Sequence, residues 1–429
     1  LLLAGLLLTP WLSHAAEPAS TPIDQKAATA APPAAPEART LTWTVDKGLQ
    51  GVTRDGTFKL KVSGWVHAWW TGKVQDGATS AWEQKAHADD AGAVATVFEK
   101  KAAAYDNELT TNEFAVRRAR VVLDATLTKT MAAFVQFEFA GTSPLLDAFF
   151  TWQPLPEIGV RAGQFKTPMS RLFFLTAPWR RSFVSDPAAM TEFSLGRDLG
   201  LMLQGNVANR KLEYHLGVFN GSGSNAKQDN TDLQLVGRVA THPLGPVPDS
   251  EGDFDGASPP VFSVGVSGAW NPLEKSYYLK RDDGNGFSKT PIHTPQMTIG
   301  TDVVFFWRGL FLTGEFFYRS QWPDEAFRAK LKTPDPNQDG RVDGLGWFAA
   351  ATYFVVPKRL EVLGRVSMVR PAREKDATDD LWEVTGGATW FLVGNTVALQ
   401  AEYEYIADKT PDAPKLTTHQ ARLQLLFKF

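Results

Sequence analysis

From Thr57 to Phe429 the chain reads as a succession of alternating or apolar segments, each about ten to fourteen residues long and broken by turn residues. The series opens with TFKLKVSGWVHAWWTG and EFAVRRARVVLDATL and closes with GNTVALQAEYEYI and HQARLQLLFKF, about sixteen segments in all. Strand side chains point to alternate faces. In 397–405, Val397, Leu399, Ala401, Tyr403 and Tyr405 therefore share one face, and Gln400, Glu402 and Glu404 the other. In 118–127, Ala119, Val121, Leu123, Ala125 and Leu127 oppose Arg118, Arg120, Asp124 and Thr126. After the first residues, no stretch approaches the ~18 to 20 apolar residues of a membrane helix. The pattern is that of an all-β fold, a transmembrane antiparallel β-barrel with an even number of strands, about sixteen.

A soluble β-sandwich would also alternate, with its apolar side inward. The connections separate the two. Short joins (TLTKTM, QPLPEI, VANRK, FWRGL, VPKR, LVGN) recur at every second position. Longer polar ones lie between them, at Gly72 to Asn112, Thr167 to Gly196, Asn220 to Asn230, Asn271 to Pro295, Gln321 to Asp343 and Ala407 to Lys415. Outer-membrane barrels have short periplasmic turns and long external loops. Two joins break the parity: THPLGPVPDSEGDFDGASPP is long where a turn is due, and AGTSPL is short where a loop is due. Trp65, Trp69, Trp70, Trp152, Trp307, Tyr318, Trp390, Tyr403 and Tyr405 suit aromatic girdles at the membrane interfaces.

The beginning supports export. LLLAGLLLTPWLSHAA is an apolar run closed by small residues, and residues 1–15 read as the remnant of a signal peptide cut before Ala16. Residues 16–50 form an Ala/Pro-rich periplasmic lead without the apolar content to fold alone, leaving 51–429 for the barrel. With no cysteine there are no disulfides, thiolate metal sites or cysteine nucleophiles. A net charge of −3 gives no basic footprint for nucleic acid.

Between Phe114 and Gly205 the segments VRRARVVLDATL, FVQFEFA, LLDAFFTW, VRAGQFKTPMSR and GRDLGLMLQG follow one another. Together they resemble the outer-membrane porins of the phosphate-selective porin O/P family, with GQFKTP and GRDLG as the strongest markers. FKLKVSGWVHAWW and the strand ending in Phe429 fit the same family. The resemblance implies a sixteen-stranded barrel, commonly trimeric, with a long loop folded into the pore. It also implies residence in the bacterial outer membrane and passive diffusion of small hydrophilic solutes, leaning to anions such as phosphate. The segment between the two markers, RLFFLTAPWRRSFVSDPAAMTEFSL, carries arginines and no lysine. The last strand resembles the signal read by the outer-membrane assembly machinery; for Lys428, register favours the lumen face and depth the periplasmic rim.

The connection from Lys166 to Arg197 is the candidate constriction. It carries Lys166, Arg171, Arg180, Arg181 and Arg197 against Asp186 and Glu192, a basic excess in an acidic chain. Arg118, Arg120 and Arg161 should face the lumen from nearby strands and extend an anion path. An anion in a narrow pore exchanges hydration for positive side chains, and planar guanidinium groups suit oxyanions. Against this, Asp124, Glu138, Asp147, Glu315, Glu361, Glu402 and Glu404 are also placed inward, so structural pairing with carboxylates competes for each arginine.

In DPNQDGRVDG, Asp335, Asn337, Asp339, the Arg341 carbonyl and Asp343 match the early positions of a calcium loop; the closing glutamate is absent, its place held by Gly346. A weak calcium loop is therefore weighed against a solvated turn, and no other cofactor is implied. Part of the Ala-rich 72–112 loop reads as a short helix over the mouth or against a neighbouring subunit. An enzyme is not expected. A lipid hydrolase needs a nucleophile motif that none of the histidines adjoins. A structural barrel, adhesin or assembly partner is the competing class.

Overall fold

The computed structural model describes residues 41–429 apart from 46–48, 77, 80–81, 89–93, 101–103, 106–108, 142–143, 229–230, 273, 281–286, 323–340, 374–379 and 410–415. The side chains of 41–48, 76–110, 273–293 and 371–379 are likewise outside it. The signal remnant 1–15, residues 16–40 of the lead, and Asp335, Asn337 and Asp339 of the calcium loop thus lie outside the described residues.

Sixteen antiparallel strands close on themselves. The first five are β1 (Lys59–Asp76), β2 (Leu109–Thr126), β3 (Met131–Glu138), β4 (Leu145–Leu155) and β5 (Ile158–Lys166). Next come β6 (Arg197–Val207), β7 (Leu212–Phe219), β8 (Gln234–Thr241), β9 (Val261–Asn271) and β10 (Gln296–Trp307). The wall is completed by β11 (Leu310–Gln321), β12 (Val342–Val356), β13 (Leu360–Arg373), β14 (Asp380–Val393), β15 (Val397–Lys409) and β16 (Leu416–Lys428). β16 pairs with β1 from Thr417↔Asp76 to Lys428↔Trp65. Phe429 then exchanges two backbone hydrogen bonds of 3.0 Å with Gly64. Where β16 ends, Leu49–Thr53 takes its place along residues 59–62 of β1, and Leu41–Val45 pairs with that strand in turn. Closure matters because hydrocarbon offers no partner to an unpaired strand edge.

The expected alternation is present. Along β8, Gln234, Val236, Arg238 and Ala240 are buried, while Leu235 and Val239 face outward. Along β9, Ser263, Ser267 and Asn271 are buried, and Val264, Val266 and Trp270 are exposed on the outer face. The apolar side thus meets lipid and the polar side the lumen. Trp152, Trp307, Trp390 and Tyr403 are exposed on the outer surface, as a girdle requires. Trp65 is not a girdle residue: it is 4% exposed and faces the lumen, sharing the parity of buried His67.

A second difference concerns the 72–112 connection. Instead of a helix, its described backbone forms a hairpin, Trp82–Ala88 against Val94–Lys100, with a two-residue ladder at Ala78–Thr79 and Ala104–Tyr105. The alanines suggested helix, but VATVFEK places β-branched residues and Phe98 in a row, which favours a strand.

The lumen is occupied from both ends. The external connection 167–196 folds inward as helix α1 (Arg171–Leu175), a 3₁₀ turn (Pro178–Arg180) and helix α2 (Ala188–Phe193). Its two ends are tied together, since Thr167 N and Oγ1 both donate to Gly196 O at 3.0 and 2.9 Å. The long join 242–260, which breaks the length parity, rises from the periplasmic end to meet it. Glu251 N donates to Arg180 O at 3.0 Å, Ser182 Oγ to Glu251 O at 2.6 Å, and Arg171 Nη2 to Pro248 O at 2.6 Å. Gly252 sits at φ +102, where an added Cβ would run into Glu361 and Ser182.

Apolar side chains of the inserted loop complete a core inside the barrel. Met169, Leu172, Ala189, Met190 and Phe193 pack with Phe165, Met202, Phe219, Phe317 and Phe348 of the wall. Phe193 stacks on Phe317 with ring centroids 5.9 Å apart. α2 lies flush because β12 offers Gly346 beneath it; a Cβ there would come within 2.6 Å of the Phe193 ring. The position without a calcium-loop glutamate is therefore one where the helix tolerates no side chain.

Candidate functional site

The inserted loop hangs from wall carboxylates by its own backbone. At α1, Ser170 caps the helix, its Oγ accepting from Phe173 N at 3.2 Å and donating to Glu315 Oε2 at 2.6 Å. Glu315 Oε1 also accepts from Leu172 N at 2.7 Å. Further on, Val184 N and Ser185 N donate to Glu402 at 2.9 and 3.1 Å. At the start of α2, Ala188 N donates to Glu383 Oε2 at 3.0 Å and Ala189 N to Ser367 Oγ at 3.1 Å. Ser182 Oγ reaches Glu361 Oε2 at 2.8 Å. Apart from the Ser170 and Ser182 hydroxyls, these donors are first-turn or loop N–H groups that would otherwise be buried without partners. The carboxylates of β11, β13, β14 and β15 are thus occupied in holding the loop. Glu251, from the periplasmic segment, accepts from Ser182 N and Phe183 N at 3.2 and 3.3 Å. Burial pushes its carboxyl up, while Arg181 and Arg365 pull it down.

Arg365 of β13 is the cation that completes this attachment. It is 2% exposed and donates to Glu383 Oε1 from Nε at 3.0 Å and from Nη2 at 2.7 Å. It also donates to Ser185 O at 2.8 Å and Ser185 Oγ at 2.7 Å, and it lies over the Phe183 ring at 4.7 Å. Replacing Arg365 with Met should destabilise the barrel by roughly 3 to 5 kcal/mol, because Glu383 and the Ser185 carbonyl would stay buried without their partner. Heat-modified migration and denaturant unfolding of the refolded protein measure this. Reading the loop alone missed Arg365, although parity with Glu361, Leu363 and Ser367 puts it on the lumen face.

The sequence-derived cations fall into two groups. On one side, Arg118 and Arg181 share Asp186: Arg118 Nη2 lies 3.5 Å away and Arg181 in direct contact. Beside them Arg120 pairs with Glu138 at 2.5 Å, and Arg197 holds Asp147 through two bonds of 3.0 Å. Lys166 Nζ, 5.3 Å from the Phe173 ring centroid, donates to Thr176 O at 3.4 Å. This group thus holds the cations Arg118, Arg120, Lys166, Arg181 and Arg197 against the carboxylates Glu138, Asp147 and Asp186, a positive excess. Arg180 is exposed in the lumen, lies over Trp179 at 4.6 Å, and has no carboxylate within ion-pair distance among the described residues. Lys428 settles on the lumen side, its Nζ 3.4 Å from the Trp179 ring centroid. Trp179 in turn lies 6.5 Å from Trp65.

The remaining two stand apart. Arg171 is buried against the periplasmic segment. Arg161 lies over Phe149 at 4.4 Å, donates to Thr151 Oγ1 at 3.4 Å, and lines a cavity of about 210 Å³ with residues of β6, β7 and the 242–260 segment. Of the calcium-loop residues, Arg341 and Asp343 are described. Arg341 pairs with Asp343 at 3.1 Å, and Ser320 Oγ donates to the same carboxylate at 2.7 Å.

Residues 92–246, which include GQFKTP and GRDLG, match the family model described as phosphate-selective porin O and P. No curated protein matches in sequence. Among solved structures, OmpT of Vibrio cholerae is 11% identical with a TM-score of 0.51, covering 86% of this chain and 98% of its own. The anion-selective porin from Comamonas acidovorans is 12% identical with a TM-score of 0.51, covering 87% of this chain and 100% of its own. The outer-membrane channel DcaP of Acinetobacter baumannii is 10% identical with a TM-score of 0.50, over 87% of this chain and 98% of its own. At such identities the shared property is the fold. With the family match, it makes this chain a porin-type barrel of the bacterial outer membrane.

Proposed function

We propose that this outer-membrane barrel, carrying the phosphate-selective porin O and P signature over residues 92–246, passes small hydrophilic solutes passively and favours anions such as phosphate. The observation that carries the reading is the asymmetry of charge across the lumen. The carboxylates of β11 and β13–β15 are occupied by backbone N–H groups, hydroxyls, Arg365 and Arg422. Around Arg118, Arg120, Lys166, Arg181 and Arg197, cations exceed carboxylates, and Arg180 faces the lumen with no ion pair among the described residues. A narrow pore lined in this way lowers the energy of an anion relative to a cation. The similar Comamonas protein is itself described as anion-selective, which supports the reading.

A homotrimer is part of this proposal, since OmpT of Vibrio cholerae occurs in a trimer form. So are recognition of β16 by the assembly machinery and weak calcium binding at 335–343, which calorimetry with calcium on the purified barrel tests. For the central reading, the reversal potential of single channels in a KCl gradient should have the sign of chloride preference. A cation-selective potential overturns it.

A further inference from the structure

The cavity beside Arg161 is separate from the positive group, and its lining is of a different kind. It is bounded by β4–β7, by Phe174 at the end of α1, and by residues 242–249 of the periplasmic segment. Its 210 Å³ is room for on the order of seven waters at ~30 Å³ each. Several buried polar atoms around it have no hydrogen-bond partner among the described residues. Gln204 donates its amide to Gln153 Oε1 at 3.1 Å, which leaves Gln204 Oε1 bare. Asn206 Oδ1 and Glu213 Oε1 are bare as well. The two histidines are 8% and 6% exposed, and His215 Nδ1 and His242 Nδ1 also have no hydrogen-bond partner. Their ring nitrogens stop 3.6 and 3.8 Å from the Glu213 oxygens, beyond hydrogen-bond reach.

Such a concentration of polar groups around one cavity provides partners for an occupant, whether ordered water or a small polar ligand. Their chemistry limits what that occupant can be. The bare amide and carboxylate oxygens are acceptors, and Glu213, with His215 and His242 at 3.6 and 3.8 Å, and Asp249 add two carboxylates, so the lining suits a ligand with several donors and a positive centre. Arg161 and Arg210 line the same cavity, and neither has an ion pair among the described residues, so a negative centre is matched too. A simple cation would face Arg161, and a simple anion would face Glu213. Both signs on one small frame satisfy the whole lining.

We infer that this cavity binds a small zwitterion with an ammonium and a carboxylate, of the α-amino-acid class, at the periplasmic end of the barrel. The inference does not rest on anion preference or on conduction, because binding to the purified barrel is read directly. Isothermal calorimetry on the full, detergent-solubilised chain would use L-serine, glucose and inorganic phosphate as separate probes. L-serine should bind saturably and the other two should not. Glu213→Gln and Arg161→Gln should each weaken L-serine at least tenfold. Arg210→Gln, on an exposed turn, should weaken it severalfold without disturbing the fold, as heat-modified migration would verify. Absence of saturable heat with L-serine identifies a water-filled cavity and overturns the inference. Equal or tighter binding of glucose or phosphate, or L-serine binding indifferent to Glu213→Gln and Arg210→Gln, overturns it as well.

Discussion

Replacing Arg180 with Glu should move the ion selectivity of the pore toward cations by about thirtyfold. Arg180 is exposed, stacks on Trp179 and has no carboxylate partner among the described residues, so the change removes no structural ion pair. A unit charge about 5 Å from a permeating ion contributes roughly 0.8 kcal/mol at the dielectric of water. Reversal changes the charge by two, and screening at ~0.1 M salt leaves about 1 kcal/mol per ion. Chloride and potassium move in opposite directions, so their ratio shifts by about 2 kcal/mol. Reversal potentials in a KCl gradient read this directly. The Arg180→Gln variant should give about half the effect on the logarithmic scale. If neither variant moves the potential, ions pass elsewhere and the Arg180 side of the lumen is not the constriction.

The second large effect concerns the attachment of the inserted loop. Glu315 and Glu402 between them accept hydrogen bonds from Ser170, Leu172, Val184 and Ser185. Changing both glutamates to Ala leaves three buried N–H groups without acceptors, at roughly 1 to 3 kcal/mol each. The total is comparable with the whole stability of many folded domains. The loop, not the wall, bears that loss, because the ladders between strands are untouched. Single-channel recordings should show larger and noisier conductance, and protease should cut within 167–196. A conductance unchanged from the parent would mean that the apolar packing of α2 suffices to hold the loop. Each single variant should give a smaller effect of the same kind.

Much of this architecture was legible in the sequence, and the reason is periodicity. Alternation along segments such as 397–405 is a local property, and parity of connection length is nearly so. Strand number, the lumen side of Arg118 and Arg120, and the outward face of Leu423, Leu425 and Phe427 all follow from counting by two, while Lys428, where register and depth disagree, does not. What counting cannot supply is the partner. Glu315 meets Ser170 across 145 residues, and Glu402 meets Val184 across 218. Nothing near either glutamate announces a loop from elsewhere. The same blindness applies to 242–260, whose Pro, Gly and Asp content reads as a solvated loop yet enters the lumen. It applies also to Asp186, which Arg118 and Arg181 share, since a local excess of arginine says nothing of where the balancing carboxylate lies. Arg161, placed on the anion path by its parity, proves to line a cavity whose other walls come from β6, β7 and the periplasmic segment.

The seam between β16 and β1 carries a consequence for biogenesis. Lys428 rests on Trp179 of the inserted loop, and Phe429 completes the ladder to Gly64 one residue later. Sealing the cylinder therefore also sets a cation on the inserted loop, in addition to the wall carboxylates that hold it. A barrel with its seam open would lack that one contact while keeping the loop's attachments to β11 and β13–β15.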